Sequence, residues 1–308
     1  MGAFKRSIGS IRTIVDLGQT AMCASGLSWW WIMKITTEMI LPGSGLVAGK
    51  MPGHWLFARL GKRVLRPGGL EMTRAMLEAL NIQSSDDVVE FAPGLGVTAR
   101  MTGNRHPKSY TAVEEDPSAA SRVREILSGP RQQCVSGNAA ETGLRDQSAT
   151  AVYGEAMLSM QGPEQKRRIV REACRLLKPG GRYAIHELCL VPDDLNDAIK
   201  REINHALSHA IHVGARPLTR AEWRAVLEAG GFSVQVEELR PMRLLEPDRL
   251  LQDEGFWRAL RFGWNLLWDG DARRRVLEMR RVFMRNRTNL AAIMLIGIKQ
   301  PPHDNSQL

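Results

Sequence analysis

From residue 88 onward, short apolar runs alternate with longer stretches in which apolar residues recur every three or four positions. The short runs predict β-strands at 88–91, 109–113, 133–140, 149–153, 182–187 and 232–238. The longer stretches predict amphipathic helices, including 71–80 before the first strand and 165–177 before the fifth. Strands that alternate with helices in this way are typical of a parallel, doubly wound α/β sheet.

The first predicted strand ends in a glycine-rich turn, Ala92-Pro93-Gly94-Leu95-Gly96. Glycines at such a turn let the backbone approach a ligand closely, as in nucleotide-binding βα units. A glycine turn after a buried strand is also common as a plain connection. However, Glu114 ends the second strand about 20 residues later, the distance at which such units place a carboxylate on ribose hydroxyls. The two features together predict a nucleotide-type cofactor.

Residues 1–70 show helical and loop patterns without strand alternation and are predicted to form a lid segment. The first helix carries lysine and arginine between regularly spaced apolar residues. It therefore either packs on its own domain or lies on a membrane surface. Three consecutive tryptophans, Trp29 to Trp31, point in different directions on a helix, so they either attach the segment to the main domain or line a ligand pocket.

The end of the chain departs from a simple alternation. About fifty residues separate the sixth strand from the apolar run at 290–298, far more than a hairpin loop needs. This insertion, residues 241–288, is rich in arginine and aromatic side chains, and we expect it to form a helical cap over the ligand face. Residues 71–240 form the predicted core domain, 289–300 its final strand, and 301–308 a disordered tail.

Composition limits the partners. The 308 residues are 44% hydrophobic, enough to bury a full core. The net charge of +9 fits either an anionic partner or merely a solvated basic surface. The four cysteines form no C-x-x-C pair, which argues against a zinc knuckle or disulfide framework and favours a reducing, cytoplasmic setting. The most apolar N-terminal run, residues 21–33, is too short to span a membrane.

Four motifs carry a family resemblance. In chain order they are Val-Val-Glu-Phe-Ala-Pro-Gly-Leu-Gly, Ala-Val-Glu, Gly-Asn-Ala and Leu-Leu-Lys-Pro-Gly-Gly-Arg. The series resembles the class I S-adenosylmethionine-dependent methyltransferases of the small-molecule branch. Residues 216–232 are similar to relatives of the ubiquinone and menaquinone C-methyltransferases. The resemblance covers residues 70–240 and implies a Rossmann-like, seven-stranded sheet with S-adenosylmethionine as the cofactor.

The resemblance also implies which residues hold the cofactor. The turn would lie under its methionine part, Glu114 would accept both ribose hydroxyls, and Asn138 and Ala139 would border the adenine. The implied set is Glu90, Ala92, Pro93, Gly94, Gly96, Glu114, Glu115, Asn138, Ala139 and Glu155. Ala92 replaces the usual first glycine, which a turn tolerates if the φ is negative. Asn138 replaces the usual acid of the third segment and still offers an acceptor.

Ligands bind at the carboxyl ends of strands in open α/β sheets, so polar residues there are candidates for the chemistry. Methyl transfer needs in-line placement and, for some substrates, removal of a proton. Glu155 follows the fourth strand, and His186 and Glu187 end the fifth. The alternatives are that Glu155 only contacts the cofactor and that His186 is a hydrogen-bonded histidine near the core.

A predicted helix after Pro192 carries His205, His209 and His212 at positions i, i+4 and i+7, so all three should share one face. Three histidines could ligate a metal or place a proton acceptor over a substrate. Positions i and i+7 lie roughly 10 Å apart along a helix axis, too far for one metal to use all three. We therefore expect no metal, and we expect these histidines in the substrate cavity with His209 as a catalytic candidate.

Taken together, these features predict a methyltransferase that acts on carbon or oxygen of a small, largely apolar molecule beneath an aromatic cap. Trp30, Trp31, Trp257 and Trp264 are the expected cap contacts with this substrate. The arginines of the insertion are either solvated or suited to a phosphate or carboxylate, which fits an isoprenoid, quinone-like or anionic lipid-like acceptor.

Two other functions compete with this prediction. The first is a non-catalytic protein that keeps the fold and uses the aromatic cap as a homodimer or partner interface. The second, lesser alternative is RNA methylation, which is disfavoured because the sequence contains no recognised nucleic-acid-binding module.

Overall fold

The computed structural model describes residues 45–301, whose centre is an eight-stranded sheet. Its order is β3-β2-β1-β4-β5-β8-β7, and the short β6 pairs with β5. The strands are β1 (Asp87–Phe91), β2 (Ser109–Glu114), β3 (Gln132–Ser136), β4 (Ala149–Glu155), β5 (Leu177–Leu190), β6 (Leu218–Thr219), β7 (Phe232–Pro241) and β8 (Leu290–Lys299). The pairs among β1 to β5 are parallel, whereas β8 runs antiparallel to β5 and β7. The predicted Rossmann-like sheet is confirmed, with the two-residue β6 as an addition.

Helices cover both faces of this sheet. They are α1 (Gly53–Leu60), α2 (Gly69–Ala79), α3 (Val97–Gly103), α4 (Pro117–Ile126), α5 (Pro163–Leu176), α6 (Asp197–Ile211), α7 (Arg220–Ala229), α8 (Pro247–Glu254), α9 (Phe256–Trp268) and α10 (Gly270–Arg285). Successive residues of β1 point to opposite faces, so Val88 packs with α2 to α4 and Val89 packs with α5 and α7. The carboxyl ends of the central strands lie between these two cores, and a cavity opens over them.

The turn at residues 178–181 differs from its predicted role as a stop between helix and strand. Helix α5 ends at Leu176, and Leu177 already pairs with Ala149 of β4. The pairing then shifts register before Arg182, and a Cβ on Gly181 would lie 2.8 Å from a side-chain carbon of Leu177. The glycines therefore form a bulge inside β5.

Three helices, α8 to α10, occupy the insertion between β7 and β8, as predicted. Helix α9 packs against α1 and α10 packs against α6 around a cluster that includes Phe57, Phe262 and Met279. These elements belong to one compact unit, Leu41–Leu308, and the predicted division at residues 70, 240 and 288 stays a prediction. The N-terminal helix, the tryptophans at 29–31 and the tail from residue 302 lie outside the described residues. No helix within residues 45–301 is both long and apolar enough to cross a membrane.

Candidate active site

A cavity lies over the carboxyl ends of β1, β2 and β4. Three carboxylates line it, those of Glu90, Glu114 and Glu155, together with Ala92 and Gly94 of the glycine-rich turn. Each carboxylate comes from the end of a different strand, which explains why residues far apart in the sequence meet here. We call this space the polar cavity.

The turn after β1 has three residues in the left-handed region: Ala92 (φ 50°), Gly94 (φ 56°) and Gly96 (φ 72°). A Cβ on Gly94 would meet nothing within 4 Å, whereas one on Gly96 would lie 2.6 Å from Cδ1 of Ile126. Gly96 therefore permits helix packing, and Gly94 leaves the backbone open to a ligand. The condition of a negative φ at Ala92 is not met. The N–H of Ala92 donates to the carbonyl of Val113 (2.8 Å), so β2 holds the turn in this conformation. This conformation costs an alanine about 1 kcal/mol.

The three carboxylates at the end of β2, those of Glu114, Glu115 and Asp116, each make different contacts. Glu114 faces the polar cavity, and its two oxygens accept the N–H groups of Gly94 (2.9 Å) and Asp116 (3.0 Å). Burial raises the pKa of Glu114 despite these two hydrogen bonds. Asp116 caps the N-terminus of α4, and Glu115 accepts a hydrogen bond from Nδ2 of Asn138 (3.2 Å). Of these three carboxylates, Glu114 is the one that lines the polar cavity.

The loop after β3 lies beside the polar cavity without lining it. The oxygen Oδ1 of Asn138 accepts the N–H of Ala140 (2.8 Å), which fixes the side chain in the loop. Ala139 packs into the core on the α5 side of the sheet. The amide of Asn138 thus joins this loop to the end of β2 through its hydrogen bond to Glu115. An ionised acid at position 138 could not make this bond, because it has no hydrogen to donate.

Glu90 is the most deeply placed carboxylate of the polar cavity. It is buried, and the hydroxyls of Tyr110 and Tyr153 both donate to its Oε2, the latter at 2.7 Å. Burial nevertheless raises its pKa to about 7, because two phenols do not replace the hydration that the ionised acid loses. A bound cation would favour the ionised form of this acid.

Glu155 is held as an ionised acid. Although burial opposes the charge, the guanidinium of Arg66 and hydrogen bonds from His186 (2.9 Å), Thr73 (2.6 Å) and Thr98 (2.6 Å) keep its pKa at about 2. An acid with such a low pKa is a poor proton acceptor near neutral pH. The low pKa and the four donors therefore argue against Glu155 as a base, and its contact with the cofactor stays a prediction.

His186 and Glu187 also differ from their expected catalytic roles. Nε2 of the fully buried His186 accepts the N–H of Gly68 (3.0 Å), so its proton lies on Nδ1 and is donated to Glu155. Both ring nitrogens are thus in use. Glu187 accepts the N–H groups of three successive residues after β4 and the hydroxyl of Ser159 (2.6 Å), while burial raises its pKa. Glu187 fixes that loop and does not reach the cavity.

A second, apolar cavity adjoins the first, and we call it the apolar cavity. Its walls include Phe57, Met242, Leu244 and Phe283, and it reaches across from α1 to the β7–α8 connection. His54 lines both cavities. Burial lowers the pKa of His54 to about 4, so its imidazole is neutral near pH 7.

The three histidines expected on α6 do not lie in the expected cavity, although the rings of His209 and His212 stay neighbours with 6.4 Å between their centroids. His212 lies beyond the helix as its C-terminal cap, with a φ of 55°. His209 is 72% exposed and lies 3.5 Å from Oε1 of Glu278, while His205 lines a different cavity, beside Lys166. None of them lines the polar or the apolar cavity. Among residues 45–301, no group of three or more acidic, histidine or cysteine side chains is placed to hold a metal.

The cap aromatics also lie elsewhere than expected. Trp257 is 78% exposed and Trp264 is 53% exposed, and neither lines the polar or the apolar cavity. Helix α9 instead directs Phe262 inward, where its ring stacks on Phe57 with 6.2 Å between centroids. Trp30 and Trp31 lie outside the described residues.

Sequence reasoning missed the side chains that residues 54–66 bring to the polar cavity. These are His54, Trp55, Arg63, Leu65 and Arg66. The Pro-Gly pairs that flank this stretch are its only signal, and they mark turns without saying what the turns approach. The pairing of Arg66 with Glu155 joins positions 89 residues apart, a distance that no local pattern reports.

Comparison with known proteins agrees with this geometry. A model of the methyltransferase domain matches residues 89–185. An uncharacterized protein of Haemophilus influenzae is 30% identical over 213 residues, which cover 68% of this chain and 83% of that protein. The fold is similar to that of the MccD protein (TM-score 0.61, 17% identity, 77% of this chain and 100% of that one). It is also similar to that of geranyl diphosphate methyltransferase in complex with GPP and sinefungin (TM-score 0.53, 13% identity, 74% and 77%).

The sheet and the polar cavity define a Rossmann-like protein with a nucleotide-type cofactor site at the carboxyl ends of its strands. With the matches above, the chain belongs to the class I S-adenosylmethionine-dependent methyltransferases, and S-adenosylmethionine is its cofactor. The similarity to the quinone-methylating branch stays a prediction.

Proposed function

We propose that this protein methylates a carbon or oxygen atom of a small, largely apolar molecule bound in the apolar cavity. The observation that carries the proposal is the junction of the two cavities, which share His54, Leu65, Ala156 and Met160. A donor in the polar cavity and an acceptor in the apolar cavity would meet at this junction. Such a meeting gives the in-line placement on which methyl transfer chiefly depends.

The polar cavity has groups that suit S-adenosylmethionine, which supplies an electrophilic methyl group when bound. Each oxygen of Glu114 accepts a single backbone N–H, so each keeps a lone pair for one hydroxyl of the ribose diol. Gly94 leaves its backbone open beside the methionine end, where ionised Glu90 would attract an ammonium group. We propose Pro93 and Glu155 as further contacts, and Glu115, Asn138 and Ala139 as the border of the adenine.

We propose His54 as the proton acceptor for substrates that must lose a proton. Its ring lies at the junction of the cavities, is neutral, and makes no hydrogen bond to any other described residue. The expected acids and His186 are, by contrast, saturated by protein donors. A low pKa makes His54 a weak base, which suits an acceptor that is itself acidic, such as a phenol or an enol.

The acceptor class follows from the walls of the apolar cavity. They offer aliphatic and phenylalanine side chains and, in His54 and Ser159, few polar groups, so an isoprenoid or quinone-like molecule fits better than a sugar or a nucleotide. An isoprenoid acceptor also accords with geranyl diphosphate methyltransferase, which shares the fold.

Calorimetry with S-adenosylmethionine tests the cofactor site. Glu114→Ala should weaken binding at least about tenfold, since it removes two charge-assisted hydrogen bonds. The control is Glu125→Ala, which removes an exposed acid from the neighbouring helix α4. Equal affinity of both variants, or no binding by the unmodified protein, would contradict the proposal.

A transfer assay tests the reaction. Methyl-labelled S-adenosylmethionine is incubated with the protein and an extract of small molecules, and we expect label in the organic phase. His54→Gln should then lower kcat about 100-fold if a proton is removed, while cofactor affinity stays unchanged. A decrease in kcat of less than about threefold would contradict His54 as the proton acceptor and would leave the placement of the two substrates as the basis of catalysis.

The non-catalytic alternative is favoured by one observation, the exposed aromatic residues of α9, which resemble an interaction surface. Cofactor binding without transfer to any extract component would favour this alternative. Label on RNA instead of in the organic phase would favour RNA methylation.

A further inference from the structure

Helix α9 exposes an apolar stripe on the side opposite its contact with α1. The stripe consists of Trp257, Leu260, Trp264, Leu267 and Trp268, which are between 53% and 78% exposed. Their spacing of i, i+3, i+7, i+10 and i+11 places them on one face along more than two turns. The opposite face holds Phe262 against α1. A helix that is apolar on both faces normally has both faces buried. The outer face of α9 is exposed here, so it is expected to have a binding partner.

Basic side chains border this outer stripe. Helix α9 contains Arg258 and Arg261 and no acidic residue. Burial and the guanidinium groups of Arg63, Arg261 and Arg122 lower the pKa of Arg258, against the carboxylate of Glu254, so cations outnumber acids around Arg258. Beyond the helix, α10 adds the exposed Arg273, whereas the neighbouring Arg274 is paired with Asp271. The partner of the stripe must therefore be apolar in its interior and anionic at its surface.

We propose that helix α9 lies in the interface of an anionic lipid bilayer, with the outer stripe among the acyl chains and its arginines at the headgroups. Tryptophan suits this depth because its ring is apolar and its indole N–H is polar. An apolar helical face with cationic flanks is the arrangement that binds at such interfaces.

A second copy of the chain fits the stripe less well. A symmetric dimer sets the same patch of each subunit against the other. Arg258 and Arg261 of one copy would then face the like-charged group of its partner, and like charges at an interface oppose association. An anionic surface neutralises these same charges, so the arrangement of charges favours an anionic bilayer over a second copy of the chain.

Docking through α9 would also place the apolar cavity close to lipid. Nδ2 of Asn265 donates to the carbonyl of Leu60 (3.0 Å), and Phe262 stacks on Phe57 of α1. Phe57 in turn lines the apolar cavity. Helices α9 and α1, in contact through Phe262 and Phe57, thus lie between the outer stripe and that cavity. The docking itself does not depend on the proposed reaction.

Vesicle flotation with the full chain tests this proposal. One set of vesicles contains phosphatidylcholine alone, and the other contains about 30% phosphatidylglycerol, which supplies the negative surface potential. We expect the protein to float with the anionic vesicles and to lose at least about tenfold in partitioning when the salt rises from about 0.05 to 0.5 M. Failure to bind anionic vesicles overturns the proposal.

Two variants and a control assign the binding to α9. Trp257→Glu/Trp268→Glu should abolish flotation, and Arg258→Gln/Arg261→Gln should weaken it about 10- to 30-fold on anionic vesicles only. Ile199→Glu, which alters an exposed apolar residue of α6, should leave flotation unchanged. Circular dichroism and cofactor binding confirm that each variant folds. Unchanged flotation of the tryptophan variant, or its conversion of a dimer to a monomer in sedimentation without vesicle binding, overturns the proposal.

Discussion

Replacement of Glu90 by glutamine tests the electrostatics of the polar cavity. This acid is buried at the cavity floor, where Tyr110 and Tyr153 are its donors among residues 45–301. Glutamine has the same shape, and its carbonyl oxygen can still accept both phenol hydrogen bonds. The change therefore removes the charge and keeps the packing, so stability effects report on ionisation alone.

The magnitude follows from the pKa of Glu90, which burial raises from 4.5 to about 7. Between these two values the unfolded chain has released the proton and the folded protein has kept it. The free energy of unfolding therefore falls as the pH rises through this window. The total loss is about 3 kcal/mol, because one pKa unit corresponds to about 1.4 kcal/mol. The contribution is complete below pH 4.5 and lost above pH 7.

Urea unfolding of the cofactor-free protein at about pH 5 and pH 8 measures this effect. Glu114 and Glu187 titrate in both proteins, so the difference between wild type and Glu90→Gln isolates Glu90. We expect the variant to gain about 2–3 kcal/mol relative to wild type between the two pH values. Parallel stability profiles of the two proteins would refute the raised pKa.

A second measurement separates stability from function. If ionised Glu90 attracts the ammonium group of the cofactor, the affinity of wild type should rise about tenfold per pH unit as the pH approaches 7 from below. Glu90→Gln should lose this pH dependence and bind more weakly although it is more stable at pH 8. Tighter binding by the variant would contradict the proposed role of Glu90.

Three further predictions concern the surroundings of the polar cavity. Ala92→Gly should raise the free energy of unfolding by about 1 kcal/mol in urea titrations, because glycine relieves the left-handed φ. Gly94→Ala should fold with a loss of about 1–2 kcal/mol, since its Cβ would meet no atom within 4 Å and the left-handed φ opposes it, yet calorimetry should show cofactor affinity at least about tenfold lower. Glu187→Ala should lower the free energy of unfolding by about 2–3 kcal/mol, because three backbone N–H groups lose their acceptor. Ala92→Gly should leave the affinity for the cofactor within about twofold of wild type.

Local sequence was sufficient for the elements and their order. The alternation of apolar runs predicted β1 to β5, and the apolar run at 290–298 predicted β8 despite the insertion before it. Each of these signals depends on neighbours within a few residues, because side-chain periodicity and turn chemistry act over that range. Glu114 belongs to the same group, since the end of a strand already directs it to the ligand edge.

Local sequence was less informative about the side chains at that edge. For His186 and Glu155 the sequence left catalysis open beside other roles, namely a hydrogen-bonded histidine near the core and a cofactor contact. Both side chains accept or share hydrogen bonds with other elements, including Gly68 and Arg66. The φ of Ala92 also depends on a distant partner, the carbonyl of Val113. The availability of a polar side chain depends on the hydrogen bonds that it already makes, and here the donors come from other elements.

The sequence by itself therefore determined the family, the cofactor, the Rossmann-like class of the sheet and the strand ends that approach the ligand. Only the tertiary structure decided that His54, not His186, lies at the junction of the two cavities, and that α9 turns Phe262 inward and its tryptophans outward. The physical reason is range. Periodicity and turns are set by adjacent residues, whereas burial, pKa and exposure are set by contacts between elements that the chain brings together only when it folds.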